Sequence, residues 1–244
     1  NWRDVVEDDQ VHLVSVCTPN DTHAEIAIAA LAAGKHVWCE KPMSTTLDDS
    51  TAMANAAARS AGKTIIGYNY TKNPAVTHAR RLIDSGVIGR VSGFFCRYDV
   101  DNEADGNRPW SWRMSRAQSG TGSNGDVLSH VISVAHFLTN SSISRVVGDY
   151  TIVHEERADS QAAGQTKIVD NDDMVAALIH FENGVKGHIG ASRVTWGRKC
   201  GLRWELHGTE GTIIYDQERL NELKLFTRQD NPATDGFRTV LTLS

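Results

Sequence analysis

Paired cysteines are missing from this chain. Cys17, Cys39, Cys96 and Cys200 are its four cysteines; no two form a C-x-x-C pair, and each stands in an apolar, strand-like stretch. A disulfide framework is therefore not expected, and the four read as buried thiols in a reducing compartment. His180 and His188 have no third ligand candidate at metal spacing, so no metal site is expected. A basic surplus is missing too. Lys and Arg total 25 against 30 Asp and Glu, a net charge of -5, whereas a nucleic-acid surface is normally basic. No apolar run approaches the roughly 18 residues of a membrane span, and the first residues show no charged-then-apolar leader. No nucleic acid and no membrane are expected as partners; a soluble cytoplasmic protein is. No internal repeat is found.

What is present is enough apolar sequence, 40% of 244 residues, for one large core or two smaller ones. Residues 11–17 form a β-rich run. A helical pattern starts at Thr22, with Ile26, Ala29, Ala30 and Ala33 at helical spacing and Gly34 as its stop. His36–Cys39 is a second strand. Thr45 or Thr46 caps a helix reaching about Ala61, with Asp48 and Asp49 in its first turn, and Thr64–Gly67 is a third strand. Strand–helix–strand–helix–strand means right-handed βαβ units and a parallel sheet. The near-absence of polar alternation predicts burial on both faces.

The rhythm changes after Tyr70. Pro74 opens a helix ending near Gly86, and long alternating runs follow: 91–100, 145–153, 174–181, 185–192, 202–207 and 212–215. The "ENG" of 182–184 joins two of them as a hairpin. These runs predict an antiparallel sheet with one covered face, interrupted by one helix over about Gly125–Leu138. Residues 154–171 are polar and unperiodic, which predicts a mobile loop. The fold class is thus α/β: a partial Rossmann-type parallel sheet over residues 1–71, then an α+β domain with a large, mostly antiparallel sheet over 72–244. The termini carry a further expectation. "NWRDVVEDDQ" resembles a helix end, three parallel strands are few for a doubly wound domain of about six, and "FRTVLTLS" stops in a strand. A chain cut at both ends is expected.

Two stretches bring chemistry to the carboxyl edge of the parallel strands, where open α/β sheets bind ligands, and a third candidate lies further along the chain. "TPNDTH" (18–23) breaks the first strand at Pro19, lets Asn20 or Asp21 cap the helix, and points its free N–H groups at that edge. "EKP" (40–42) follows one βα unit later. "GDVLSH" (125–130) sets Asp126 and His130 four apart, on one helical face; an imidazole beside a carboxylate suits a general base near neutral pH. His136 is offset and reads as a surface or packing residue.

Together, "TPNDTH", "GKHVWCEKP", "GDVLSH", "GYNYTKNPAV", "GVIGRV", "DDMVAALIHFENG" and "ELHGTEGTIIYD" resemble the motifs of the glucose–fructose oxidoreductase, inositol dehydrogenase and rhizopine catabolism (Gfo/Idh/MocA) family, over essentially the whole chain. The resemblance implies a Rossmann domain joined to a largely antiparallel α/β domain, and NAD or NADP as cofactor. Lys41 then lies between nicotinamide and substrate, with Glu40 beside the nicotinamide ribose and Pro42 stiffening the turn, through a cis or a trans bond. Thr18, Pro19, Asn20 and His23 line the cofactor pocket. His130 matches the general acid/base, and Asp126 the carboxylate that binds substrate and steadies the site. Trp112 and Arg113 approach the sugar or nicotinamide, and Asn69, Lys72, Arg97, Asp126 and Arg113 read substrate hydroxyls. The resemblance also places the glycine-rich phosphate turn, and the residue choosing between NAD and NADP, before residue 1, so no G-x-G-x-x-G fingerprint is expected here.

The implied activity is hydride transfer between a sugar or cyclitol hydroxyl carbon and nicotinamide, in a homodimer or homotetramer formed through the strands between about 145 and 215. A second reading is a non-catalytic ligand-binding relative, and a third is redox-assisted lyase or hydrolase chemistry. Lys41, Asp126 and His130 occurring together favours the first, since a binding protein has no need of all three.

Overall fold

Residues 1–229 and 235–242 are described by a computed structural model. The chain separates into two units, each discontinuous in sequence: Asn1–Tyr68, Asn107–Asp126 and His154–Asn171 form the first, and Asn69–Gly106, Val127–Val153 and Asp172–Ser244 the second. Two segments beyond residue 71 thus group with the parallel-sheet unit.

In the first unit, helix α1 (Trp2–Glu7) leads to strand β1 (Leu13–Val16), helix α2 (His23–Ala32), β2 (His36–Cys39), α3 (Leu47–Arg59) and β3 (Thr64–Ile66). The sheet is parallel in the order β1-β2-β3. Helix α2 stops at Gly34, whose φ of 76° lets Gly34 N–H reach Leu31 O while Lys35 N–H reaches Ala30 O; this closes the last turn in the left-handed geometry that glycine adopts readily. Thr46 caps α3, accepting from Asp49 N–H at 3.1 Å. Val14, Val16, Ile26, Ala30, Leu31, Val37, Cys39 and Met53 close a core between sheet and helices. The opposite sheet face differs from expectation. Leu13, Trp38 and Ile65 on it are each about half exposed, and the strands alternate buried and exposed. Apolar residues occupy both faces, but only one is packed by helices.

Residues 154–171, expected as a mobile loop, form instead a two-stranded antiparallel ribbon of β6 (Glu156–Ala158) and β7 (Thr166–Ile168). The strands are three residues long and carry polar side chains, so alternation does not mark them. Trp110 holds the ribbon through its backbone N–H to Ala158 O at 2.8 Å and its indole N–H to Ile168 O at 3.0 Å.

The second unit is built on an eight-stranded sheet in the order β13-β12-β11-β10-β4-β9-β8-β5. Its strands are β4 (Val91–Asp99), β5 (Ile143–Thr151), β8 (Met174–Phe181), β9 (Lys186–Ser192), β10 (Gly201–Gly208), β11 (Gly211–Asp216), β12 (Glu222–Thr227) and β13 (Arg238–Leu241). The hairpin at 182–184 joins β8 to β9 as expected, with Gly184 at φ 88°. The sheet is mixed, not wholly antiparallel: β4 and β9 run parallel, from Gly93↔Lys186 to Asp99↔Ser192. A strand pattern carries no direction, so the sequence could not reveal this. The strand expected at "FRTVLTLS" is β13; Leu243 and Ser244 lie outside the described residues.

Helix α4 (Pro74–Asp84), capped by Asn73, packs on α6 (Ser129–Thr139) and on β11 and β12, and α6 crosses β4. Beneath them Phe94, Ile179, Leu202, Trp204, Leu206, Ile213 and Leu223 are fully buried. At about 1.5–3 kcal/mol for each fully buried aliphatic or Phe side chain, this cluster is the main adhesive between sheet and helices. Among the described residues no helix is long and apolar enough to cross a membrane. Cys39 and Cys96 are buried as expected, whereas Cys17 is exposed and Cys200 half-buried. Strand β1 ends at Val16, which leaves Cys17 in the following turn.

Candidate functional site

The carboxyl ends of β1 and β2 carry the two turns singled out by the sequence. After β1, Pro19 breaks the strand and Asn20–Thr22 form a 3-10 turn before α2. Neither Asn20 nor Asp21 caps α2, whose N-cap is Thr22 without a side-chain bond. Asn20 instead donates its amide to Ser119 O at 3.0 Å, and Thr22 Oγ1 donates to Pro19 O at 2.7 Å and pairs with Thr18 Oγ1 at 2.6 Å. His23 is buried, and its two ring nitrogens lie 2.9 Å from Pro42 O and Thr18 O. It ties the first turn to the second.

In that second turn the Lys41–Pro42 peptide is cis. Glu40, half-buried, accepts the Lys41 N–H at 3.3 Å. Its carboxylate lies across the end of β3, where a Cβ on Gly67 would come within 2.9 Å of both carboxylate oxygens. A side chain at 67 would displace Glu40. Lys41 Nζ donates to Asp126 Oδ1 at 2.5 Å and to Asp126 O at 2.8 Å, and the Lys41 side chain is 19% exposed and that of Asp126 36%. A pair this accessible adds little net stability. What it does is fix where the ammonium points, with one of its three N–H donors left beyond these two bonds.

Asp126 reaches Lys41 from a segment laid against the same turn. The segment contains a literal G-x-G-x-x-G string, Gly120–Gly125, contrary to expectation. It follows the short helix α5 (Arg116–Ser119) rather than a strand, so it lacks the context of a phosphate-binding turn. Gly120, at φ 80°, passes so close to Thr45 that a Cβ would meet its Cα at 2.9 Å. Upstream, Trp112 and Arg113 start a 3-10 turn, the guanidinium 4.4 Å above the Trp112 ring. Buried Asn171 pins the segment, donating to Arg113 O at 2.7 Å and Ser119 Oγ at 2.8 Å.

The helix expected from Gly125 begins instead as a π turn, Asn124–Leu128, and continues as α6. Such turns are rare and concentrate at functional sites. His130, in the first turn of α6, is buried, its ring 4.6 Å from that of Tyr70 and 6.0 Å from that of Tyr98. Asn69 and Lys72 are exposed on the 3-10 turn that carries Tyr70. Arg97 is separated from them. It alternates with Tyr98 along β4 and so projects from the opposite, uncovered face. There it donates twice to Asp99, at 3.2 and 2.8 Å, which holds its guanidinium further above its ordinary range, and it lines an open cavity of about 490 Å³ with His188 and Arg203. The first unit thus gathers Thr18, Pro19, Asn20, His23, Glu40, Lys41, Trp112, Arg113 and Asp126, and the second gathers His130, Asn69 and Lys72. Tyr70 and Tyr98 stand beside His130 without any sequence signal that marks them as its neighbours. Alternation along β4 puts Tyr98 on the helix-covered face, but no spacing reveals which helical residue it meets. Among the described residues no group of three or more His, Cys, Asp or Glu is placed to hold a metal ion.

Comparison with known proteins bears on this arrangement. Residues 1–68 match the family model described as "Oxidoreductase family, NAD-binding Rossmann fold", and residues 76–214 match the "GFO/IDH/MocA C-terminal domain". Levoglucosan dehydrogenase of Pseudarthrobacter phenanthrenivorans is 39% identical over 254 residues, covering 99% of this chain and 65% of that protein. The 1,5-anhydro-D-fructose reductase of Ensifer adhaerens is 32% identical over 216 residues, covering 87% and 59%. A solved levoglucosan dehydrogenase in complex with NADH and levoglucosan superposes with a TM-score of 0.94 at 39% identity, over 99% of this chain and 64% of that one. The chain therefore spans about two thirds of the length of these relatives or less. With both of its halves matched, the chain belongs to the GFO/IDH/MocA family of oxidoreductases.

Proposed function

We propose that the intact protein moves a hydride between a hydroxyl-bearing carbon of a sugar or cyclitol and the nicotinamide of NAD or NADP. The contact of Lys41 Nζ with Asp126 Oδ1 and O carries this reading. It joins residues 85 apart in sequence and holds an ammonium at the ligand edge of a parallel sheet.

The residues present fit the nicotinamide end of a dinucleotide. Glu40 offers a carboxylate, held over Gly67, to the hydroxyls of a ribose. The TPNDTH and EKP turns, tied by His23, form the wall beside it. Bound NAD or NADP supplies the acceptor for the hydride leaving the carbinol carbon. In the proposed step a ring nitrogen of His130 takes the hydroxyl proton. Lys41 donates to the oxygen as it becomes an alkoxide, and so stabilises charge that develops only in the transition state. Asp126 holds the ammonium and accepts from a neighbouring substrate hydroxyl. Trp112, Arg113, Asn69 and Lys72 supply further contacts to a many-hydroxyl ligand. Arg97 has no part in this scheme, because it projects from the uncovered face of the sheet. That face, between about 145 and 215, is proposed as the contact of a homodimer or homotetramer.

The test is steady-state kinetics of the intact protein with NAD and NADP, against cyclitols, pyranoses, levoglucosan and 1,5-anhydro-D-fructose, with product analysis to separate net oxidation from lyase or hydrolase outcomes. Loss of a general base typically costs about 10²–10⁴ in rate, so His130→Asn should lower kcat by that order and leave nicotinamide affinity, followed by fluorescence quenching, near the wild-type value. Wild-type turnover by His130→Asn would place the base elsewhere.

A further inference from the structure

Strand β4 turns Tyr98 toward the helices, where it is 8% exposed, and the 3-10 turn Asn69–Lys72 brings Tyr70 to it. The two phenol oxygens are 2.6 Å apart, with the rings edge to face at 5.6 Å and 80°. Behind them runs a directed chain of hydrogen bonds. Asn73 Oδ1 accepts from Ala75 N–H at the start of α4, and its Nδ2 donates to the Tyr215 oxygen at 3.0 Å. Tyr215 donates to Gln217 Oε1 at 3.2 Å, which turns Gln217 Nε2 toward Cys200 Sγ, also at 3.2 Å. That sulfur lies 3.5 Å from both the Tyr70 and the Tyr98 oxygens. Every link is buried or half-buried. The far end of the chain is a helix cap, and the near end is the pair of rings packed on the His130 imidazole.

We propose that Tyr98 is a positioning residue for His130: its hydroxyl locks the Tyr70 ring, and the two rings together fix the plane of the imidazole that takes the substrate proton. This rests on the reading of His130 as the base. Packing alone does not call for a tyrosine at 98, since a phenylalanine would fill the same space and keep the same edge-to-face contact. Only the hydroxyl makes the 2.6 Å bond. Burial, the largest cause, pushes the Tyr70 phenol up to about 12 and raises those of Tyr98 and Tyr215 further. The phenols therefore stay protonated at any working pH, and the network acts by geometry, not by titration.

The test uses Tyr98→Phe, Tyr70→Phe and the double variant of the intact protein. The nitrogen resonances of His130, assigned by their loss in His130→Asn, should shift in Tyr98→Phe while those of surface histidines stay put. A misplaced catalytic group lowers turnover more than ground-state binding, so kcat should fall about tenfold with KM within about twofold. Because both single changes break the same 2.6 Å bond, the strongest that either hydroxyl makes, the double variant should be no slower than the slower single. Unchanged His130 resonances in Tyr98→Phe, a wild-type kcat, or multiplied effects in the double variant would each overturn the proposal. Should Tyr98→Phe not fold, Tyr70→Phe breaks the same bond from the half-buried side and decides the same question. The resonance measurement requires no turnover. A protein that oxidises no sugar would thus sink the proposed function and still leave this proposal decided.

Discussion

In the proposed step Lys41 both holds the substrate oxygen and stabilises its charge, so its removal should be felt in two constants at once. Lys41→Met is expected to lower kcat and also raise KM for the sugar, because the same ammonium acts in the ground and transition states. Asp126→Asn keeps the shape, removes the carboxylate's charge and leaves the ammonium in place, and should fall between Lys41→Met and wild type. Steady-state kinetics on the best substrate checks both; a kcat effect of Lys41→Met with no change in KM would remove it from substrate binding. The thiols give a second check at this scale. Burial and then the adjacent Glu40 carboxylate push Cys39 up to about 12. The thiolate is the nucleophile, so at about pH 8 its fraction is on the order of 10⁻⁴. Exposed Cys17 should be alkylated by iodoacetamide in the native protein and Cys39 only after unfolding. Mass spectrometry of the labelled peptides reads the order, and fast native labelling of Cys39 would contradict the packing of β2.

Single elements were legible where their periodicity was strong. His36–Cys39 and Met174–Phe181 match their strands residue for residue, because packing on one face imposes a period of two on the buried positions of both. The ribbon at 156–168 was not legible, since Arg157 and Lys167 carry no apolar signal even though Arg157 is buried. The π turn at 124–128 was likewise hidden behind a sequence that reads as ordinary helix. Of the site, residue types and their order along the chain were legible; the pairing of Lys41 with Asp126 was not, because a contact across 85 residues leaves no local pattern. An element-scale prediction follows from Asp173, which accepts from Arg193 at 2.7 Å and from Val153 N–H at 2.8 Å, both partners of the ion pair being almost fully buried. Asp173→Ala strips a buried guanidinium of this carboxylate and should cost about 3–5 kcal/mol, seen as a lowered midpoint in urea unfolding. A midpoint unchanged from wild type would mean that the pair contributes nothing.

At the scale of the molecule, the uncovered face of the large sheet is the main unspent surface. Val147 and Leu178, 75% and 63% exposed, stand opposite each other across β5 and β8. The same face carries Asp149 and Glu205, of one sign, and Arg145, Lys186 and Arg203, of the other. Charges of both signs around exposed apolar residues suit the proposed twofold contact, in which the same patch meets itself. Sedimentation of the intact protein at micromolar concentration should give a dimer or tetramer, and Leu178→Glu should shift it toward monomer. A wild-type monomer would count against this use of the face.

The parallel pairing of β4 with β9 bears on how the chain reaches this state. Residues 93–99 meet residues 186–192, so this ladder joins segments more than 90 positions apart and closes only once the intervening chain is in place. Pairings of such long range place the entropy of loop closure ahead of any reward. Refolding of the second unit should therefore be slow, on a scale of milliseconds to seconds or longer, with the local β8–β9 hairpin acquiring amide protection before the centre of the sheet. Pulsed hydrogen exchange would reveal that order, and equal early protection of β4 and β8 would reverse it.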